Sequence, residues 1–418
     1  MTRETIYREL FNDFINHPKI DSHEHLLPQA SYQGKDDILF SILEKSYLPW
    51  ICFGARDLYT TTCQKIDLRQ RISTVPASSF YRYLLKAFDF MYGFRGDLLD
   101  DAEWETLRLA IEKEYAREQT IDKWLRNRLS IRRIVWDPYW AVGEYEADQA
   151  LFVPVLRIDP YFFGFSASAR DHDGNTPYRP GEEKERDICT FDDYLALIDR
   201  RFAEGLQAGI TSLKCAIAYD RGLDFPPVTR ERARRAFERE DGKEEAGEIN
   251  DFQNFIFHYF LEKAVERNLP IQIHTGPGKA FQGAAFRLGI VFEIYRSVKI
   301  SLLHGGFPWV GEPGAMAHFY PNLFIDLAWL PLLSPTCADL ALTQWIEATG
   351  GSRIMLGGDS WNAEGAVGSL LYNLECLSRV LTGFVERRYL SLPTARDIGH
   401  LILWGNPVEF FGERLGLP

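Results

Sequence analysis

Apolar residues recur along this chain in short runs, each closed by a polar or glycine-containing turn. The first pattern is helical: Ile6, Leu10, Phe11 and Phe14 fall at three- and four-residue spacing within residues 4–16. A short strand follows, carrying Asp21-Ser22-His23-Glu24-His25 between Ile20 and Leu26-Leu27. From residue 131 a rhythm sets in. Strands are predicted over 131–136, 151–158, 210–217, 271–274, 300–304, 323–328 and 353–357. Helical patterns lie over 191–206, 229–268, 283–296, 313–319, 335–348, 366–384 and 394–404. Asp192 and Asp193 near the start of the 191–206 pattern, and Gly209 just past its end, are ordinary helix punctuation. Strands alternating with helices predict a parallel sheet. Eight such units close naturally into an α/β fold of the (β/α)8 TIM-barrel class, with an open doubly wound sheet as the runner-up. No strand is followed by Gly-x-Gly-x-x-Gly or Gly-x-x-x-x-Gly-Lys-Ser/Thr, so nucleotide-binding versions lose support.

One segment breaks the rhythm. Between the first and second strands, residues 28–125 are far longer than a usual connection and mostly helical in pattern. They are rich in aromatics, among them Tyr47, Trp50, Tyr59, Phe80, Tyr81, Tyr83 and Phe88. The stripe reads first as the insertion's own core. Its place after the first strand suits a lid over whatever that strand carries. Residues 1–418 are expected to form a single barrel with this insertion within it.

Composition narrows the class. The 418 residues carry a formal net charge of −12, which argues against nucleic acid as a main partner. Six cysteines without a Cys-x-x-Cys read as reduced thiols, and the mixed-charge N-terminus has no apolar signal core. No stretch is long and apolar enough to suggest a membrane span. A cytoplasmic enzyme acting on a small molecule is expected; homo-oligomer formation is only a general prior.

The chemistry collects at strand ends, where barrels of this class carry their functional residues. Residues i and i+2 of a strand share a face, so His23 and His25 aim at one point while Glu24 faces away. His274 ends the fifth predicted strand, His304 the sixth, and Asp359 follows the eighth. Lys214 sits in the apolar run of the fourth, where a lysine is costly unless paired or chemically altered. Each residue has a plainer reading. A lone core histidine binds a carbonyl, Asp359 beside Ser360 is a helix cap, and Lys214 is an ion-pair partner. Together they read as a metal site. His17, His172, His258, His318 and His400 read as structural or surface residues, with His172 in a polar loop the most open to revision.

The order His-x-His, Lys, His, His, Asp on strands one, four, five, six and eight resembles the amidohydrolase superfamily of metal-dependent barrels. The run 212–223, Ser-Leu-Lys-Cys-Ala-Ile-Ala-Tyr-Asp-Arg-Gly-Leu, followed by His274-Thr275-Gly276, resembles a subgroup that includes domains fused to glutamine-synthetase-like modules. That subgroup generally reads Tyr-Arg-Thr-Gly-Leu where this chain has Tyr219-Asp220-Arg221-Gly222-Leu223. The long insertion is reminiscent of uronate isomerases, an atypical branch. The closing Trp404-Gly405-Asn406-Pro407 also looks like the end of these domains. The resemblance implies one divalent metal on His23, His25 and Asp359, and a second, where present, on His274 and His304. It implies Lys214 as a carboxylated bridge, with Asp359, His304 and Lys214 in catalytic roles. Zn2+ is the first choice for imidazole and carboxylate donors.

The expected substrate is a small carboxylate-bearing molecule with an amide or related C–N bond. Arg157, Arg221, Tyr219 and Trp361 are the candidate binding residues, because guanidinium matches a carboxylate in two places. The plain alternative pairs each arginine with a neighbouring acid, such as Asp159 or Asp220. A sugar-acid isomerase and a non-oxidative decarboxylase are the other two activities kept open.

Overall fold

Each apolar run expected to be a strand contains at least one in the computed structural model. It describes residues 1–54, 65–97, 99–117, 120–145, 148–178, 188–239, 245–279 and 282–417; Tyr59 and Cys63 lie outside them. The strands are β1 (Lys19–Glu24), β2 (Ile131–Trp136), β3 (Phe152–Pro154), β4 (Leu156–Arg157), β5 (Leu213–Cys215), β6 (Ile271–His274), β7 (Ile300–Leu303), β8 (Leu323–Asp326) and β9 (Ile354–Met355). The expected third strand is thus broken into β3 and β4. Pro154 offers no N–H at the break, and Val155 turns its own to the carbonyl of Trp136 at 3.1 Å. β4 to β9 follow one another in a six-stranded sheet, and β1, β2 and β3 in a second. The β4–β5, β5–β6, β6–β7 and β7–β8 pairs are all parallel. The order of elements is that of a (β/α)8 barrel with a helical insertion after its first strand.

Two compact units are distinguished. One comprises Met1–Ile134, Leu327–Thr343 and Met355–Gly405; the other comprises Val135–Asp326, Gln344–Ile354 and Asn406–Pro418. In the first, the helix Arg3–Asn16 is capped by Thr2 and buries Ile6, Leu10 and Phe14, the stripe its spacing foretold. The insertion forms helices Ile38–Glu44, Leu48–Phe53, Lys65–Ile72, Ser79–Tyr92 and Asp101–Tyr115. Its aromatic stripe is core: Tyr81, Tyr83, Leu84 and Phe88 are buried together with Leu39, Ile42, Trp104 and Ile111. Asp37 caps the Ile38 helix through the Phe40 N–H at 2.9 Å and accepts the Trp104 indole N–H at 2.9 Å. The helix Ala363–Glu386 packs close to the Ser79–Tyr92 helix. A Cβ on Gly368 would lie 2.4 Å from the Tyr83 carbonyl, so glycine is required there.

In the second unit the charged stretch over 229–268 is two helices, Arg230–Phe237 and Ala246–Arg267. The helix expected over 283–296 shortens to Gly289–Ile294, preceded by a tight turn at Ala285–Leu288. The described cysteines are free thiols, and no helix among the described residues is long and apolar enough to cross a membrane.

Candidate metal centre

Every residue of β1 is buried. Its alternation sends the two imidazoles to one side, and the backbone of the 357–360 segment runs beside it. The His23 carbonyl accepts the N–H of Gly358 at 3.0 Å and of Asp359 at 2.9 Å. The Asp359 carboxylate is thereby set against the histidines. Its Oδ1 lies 3.1 Å from His25 Nε2 and 3.5 Å from His23 Nε2. Two imidazole nitrogens and one carboxylate oxygen, all buried, lie within 4.8 Å of one another. This donor set fits a divalent ion of the zinc kind.

Asp359 takes a left-handed backbone conformation, φ 63°. Helix capping does not explain it, because the cap of the Ala363–Glu386 helix is Asn362, whose side chain accepts the Gly365 N–H at 2.7 Å. Glu24 faces the other way and is fully buried, accepting the Ser360 N–H at 2.5 Å. Burial, then the neighbouring Asp21 carboxylate, pushes its pKa well above the usual carboxylate range. Trp361 stacks on His25 with ring centroids 5.8 Å apart and planes at 19°. Tyr47, from the insertion, packs 4.9 Å from Trp361 and 4.8 Å from Trp329.

The other unit holds the remaining candidate ligands. His274 ends β6, and His304 lies one residue past β7 with φ 64°. The His274 Nε2–H donates to the carbonyl of Pro277, which leaves Nδ1 as the lone-pair nitrogen. It faces His304 Nε2 at 2.8 Å. A histidine whose second nitrogen is tied to a backbone carbonyl is oriented as metal-binding histidines usually are. Lys214 on β5 is 1% exposed and lies in register with Arg157 on β4.

The two arginines read as carboxylate binders are committed to protein groups. Arg157, fully buried, donates to Asp137 Oδ2 at 2.9 Å and Asp173 Oδ2 at 2.9 Å, with Asp159 at 3.5 Å. Burial opposes its charge, but Asp137, Asp159 and Asp173 outweigh burial and hold it well above the ordinary arginine value. Asp159 itself is pushed up to about 7 by burial, against the pull of Arg157. Arg221 donates to the carbonyls of Asp224 at 2.7 Å and Gly222 at 3.2 Å, and stands over the Phe225 ring at 5.1 Å. Tyr219 lies with its ring centroid 4.5 Å from that of His274.

His172, read as a loop histidine, proves to be a hub. Its Nδ1 meets Asp220 Oδ2 at 2.7 Å and its Nε2 meets Asp173 Oδ2 at 3.1 Å. Burial lowers its proton affinity, yet the hydrogen bonds to Asp173 and Asp220 prevail and raise its pKa to about 10. Its ring also lies 4.7 Å from Tyr219. The available signal was the Asp171-His172-Asp173 triplet in a loop after a strand, together with Asp-Pro closing both 131–138 and 151–160.

The amidohydrolase family model matches residues 20–412, nearly the whole chain. The chain belongs to the amidohydrolase family. Its members are metal-dependent enzymes, which agrees with the buried His23, His25 and Asp359 set. The fluG protein of Emericella nidulans is 26% identical to this amidohydrolase over 236 residues, which is 51% of this chain and 26% of that protein. The chain therefore spans only about a quarter of that relative's length. Among solved structures, uronate isomerase from Thermotoga maritima superposes with a TM-score of 0.76 at 17% identity, covering 97% of both chains. Glucuronate isomerase from Caulobacter crescentus gives 0.75 at 14% identity over 98% of this chain and 94% of its own. At such identities these amidohydrolase likenesses establish the fold alone.

Proposed function

We propose that this chain is a metal-dependent hydrolase acting on an amide or related C–N bond of a small molecule. The observation that carries the reading is the approach of Asp359 Oδ1 to both His25 Nε2 and His23 Nε2, at 3.1 and 3.5 Å, in a buried setting. His23, His25 and Asp359 would hold one divalent ion, zinc being the first choice. His274 and His304 would supply donors to a second, with Lys214 contributing an oxygen ligand as a carbamate. Bound there, such an ion acidifies a water to a pKa near ~7 and polarises a carbonyl. Asp359 takes the proton of the attacking water and returns it to the leaving nitrogen. Trp361, stacked on His25, would cover that face of the imidazole. Tyr219, whose ring lies beside that of His274, would meet substrate. The Nη donors of Arg157 and an Nη donor of Arg221 go to protein groups, which weighs against a role for them on a substrate carboxylate.

A second reading, an isomerase of sugar acids, is favoured by the helical insertion after β1 and by the full-length likeness to the two isomerase structures. Two measurements decide between them. The hydrolase reading expects about two metals per chain in the wild type, one in Lys214→Ala, and turnover of N-acyl or γ-glutamyl amides. One metal per chain whatever stands at 214, with turnover of uronates alone, would replace it by the isomerase.

A further inference from the structure

The segment that carries Asp359 is fastened to the insertion at several points. The Tyr47 hydroxyl donates to the carbonyl of Asp359 at 2.7 Å. The Tyr32 hydroxyl donates to the carbonyl of Trp361 at 2.9 Å. Asn362 donates through Nδ2 to the carbonyls of Ile42 at 3.1 Å and Lys45 at 2.9 Å. Both tyrosines are buried, at 3% and 2% exposure, so neither hydroxyl has water as an easy substitute partner. From the strand side the same segment is held by His23, whose carbonyl takes two N–H groups, and by Glu24, which takes the Ser360 N–H. Between these two sets of anchors Asp359 is kept at φ 63°, a conformation that costs free energy and persists only where its surroundings impose it. The aromatic contacts repeat the arrangement: Tyr47 packs on Trp361, and Trp361 on His25.

We propose that the insertion is a fixed part of the metal centre, with Tyr47 and Tyr32 as positioning residues that hold residues 359–361 in the shape that aims Asp359 at the histidines. This differs from a lid, which would touch the site only when closed. It rests on His23, His25 and Asp359 being metal ligands. Groups that orient metal ligands from outside typically contribute about 10- to 100-fold to metal affinity.

The test is the affinity of purified protein for Zn2+ alone, measured by competition with a chromophoric chelator. The variants are Tyr47→Phe, Tyr32→Phe and Tyr92→Phe. The last is a control: Tyr92 is an insertion tyrosine whose hydroxyl donates to Glu364 Oε1 at 2.6 Å and not to the 359–362 segment. Tyr47→Phe is expected to weaken Zn2+ binding at least about tenfold and Tyr32→Phe by less, with Tyr92→Phe within about twofold of wild type. Wild-type affinity in Tyr47→Phe overturns the inference. So does an equal loss in Tyr92→Phe, which would mean general loosening. A wild type that binds no Zn2+ removes the metal reading itself, a different failure from an indifferent Tyr47.

Discussion

Gly358 lies so close to Glu24 that a Cβ added to it would sit 1.8 Å from Glu24 Oε1. Glu24 has nowhere to swing, since it is fully buried and its other oxygen holds the Ser360 N–H at 2.5 Å. Gly358→Ala should therefore cost about 1–3 kcal/mol of stability by overpacking. It should also displace Asp359 and lower the metal content. Urea unfolding of the metal-free protein, and metal analysis of the same protein after reloading with Zn2+, check both outcomes. Wild-type metal content in a destabilised variant would separate packing from the site.

Arg157 should behave as a structural cation. Arg157→Met would take the guanidinium away from the buried carboxylates of Asp137 and Asp159 and from the partly buried Asp173, costing about 3–5 kcal/mol. Denaturant titration reads this directly. Had Arg157 served the substrate, KM would rise while the unfolding midpoint stayed in place.

The His172 cluster predicts a pH dependence. The groups facing this imidazole are Asp173, Asp220, Arg157 and the Tyr219 ring. Its folded pKa, about 10, lies above its ordinary 6.5, so the stability it adds is complete below pH 6.5 and fades as pH rises through about 10. Asp220→Asn removes one of its two carboxylates and should cost about 1.5–3 kcal/mol below pH 6.5, with the loss shrinking toward pH 10. Melting temperatures of both proteins from pH 6 to 10 should converge. Parallel curves would count against a charged His172.

Chelation should loosen the fold. An ion bound only by the folded chain stabilises it by about 2.7 kcal/mol when free ion stands at roughly 100 times its Kd. Removing metal should lower the melting temperature and returning Zn2+ should restore it. Asp359→Asn should shrink the effect of chelator on the melting temperature.

How far the sequence carried this reading depends on the range of each signal. The places of the candidate ligands at strand ends were legible because alternation and apolar runs are local: His23 and His25 two residues apart, His274 closing β6, His304 just past β7. The break between β3 and β4 is also local, but the single strand read over 151–158 passed over Pro154. The hydrogen bond from Tyr47 to Asp359 joins distant positions and leaves no spacing to detect. The same holds for the carboxylates around Arg157. Asp159, two residues away, was foreseeable, whereas Asp137 and Asp173 arrive from other turns of the chain. The lone His172 resembled any loop histidine until Asp220 was beside it.

The left-handed backbone at both His304 and Asp359 restricts which sequences can occupy these positions. Among residues with a Cβ, aspartate, asparagine and histidine are the ones that visit this conformation readily. Two of those three are good metal ligands, so backbone and chemistry draw on nearly the same short alphabet here. A saturation library at either position should return asparagine and glycine as folded but inactive survivors and should lack valine and isoleucine altogether. A glutamate at 359 would keep the carboxylate and still be selected against, by the chain rather than by the metal.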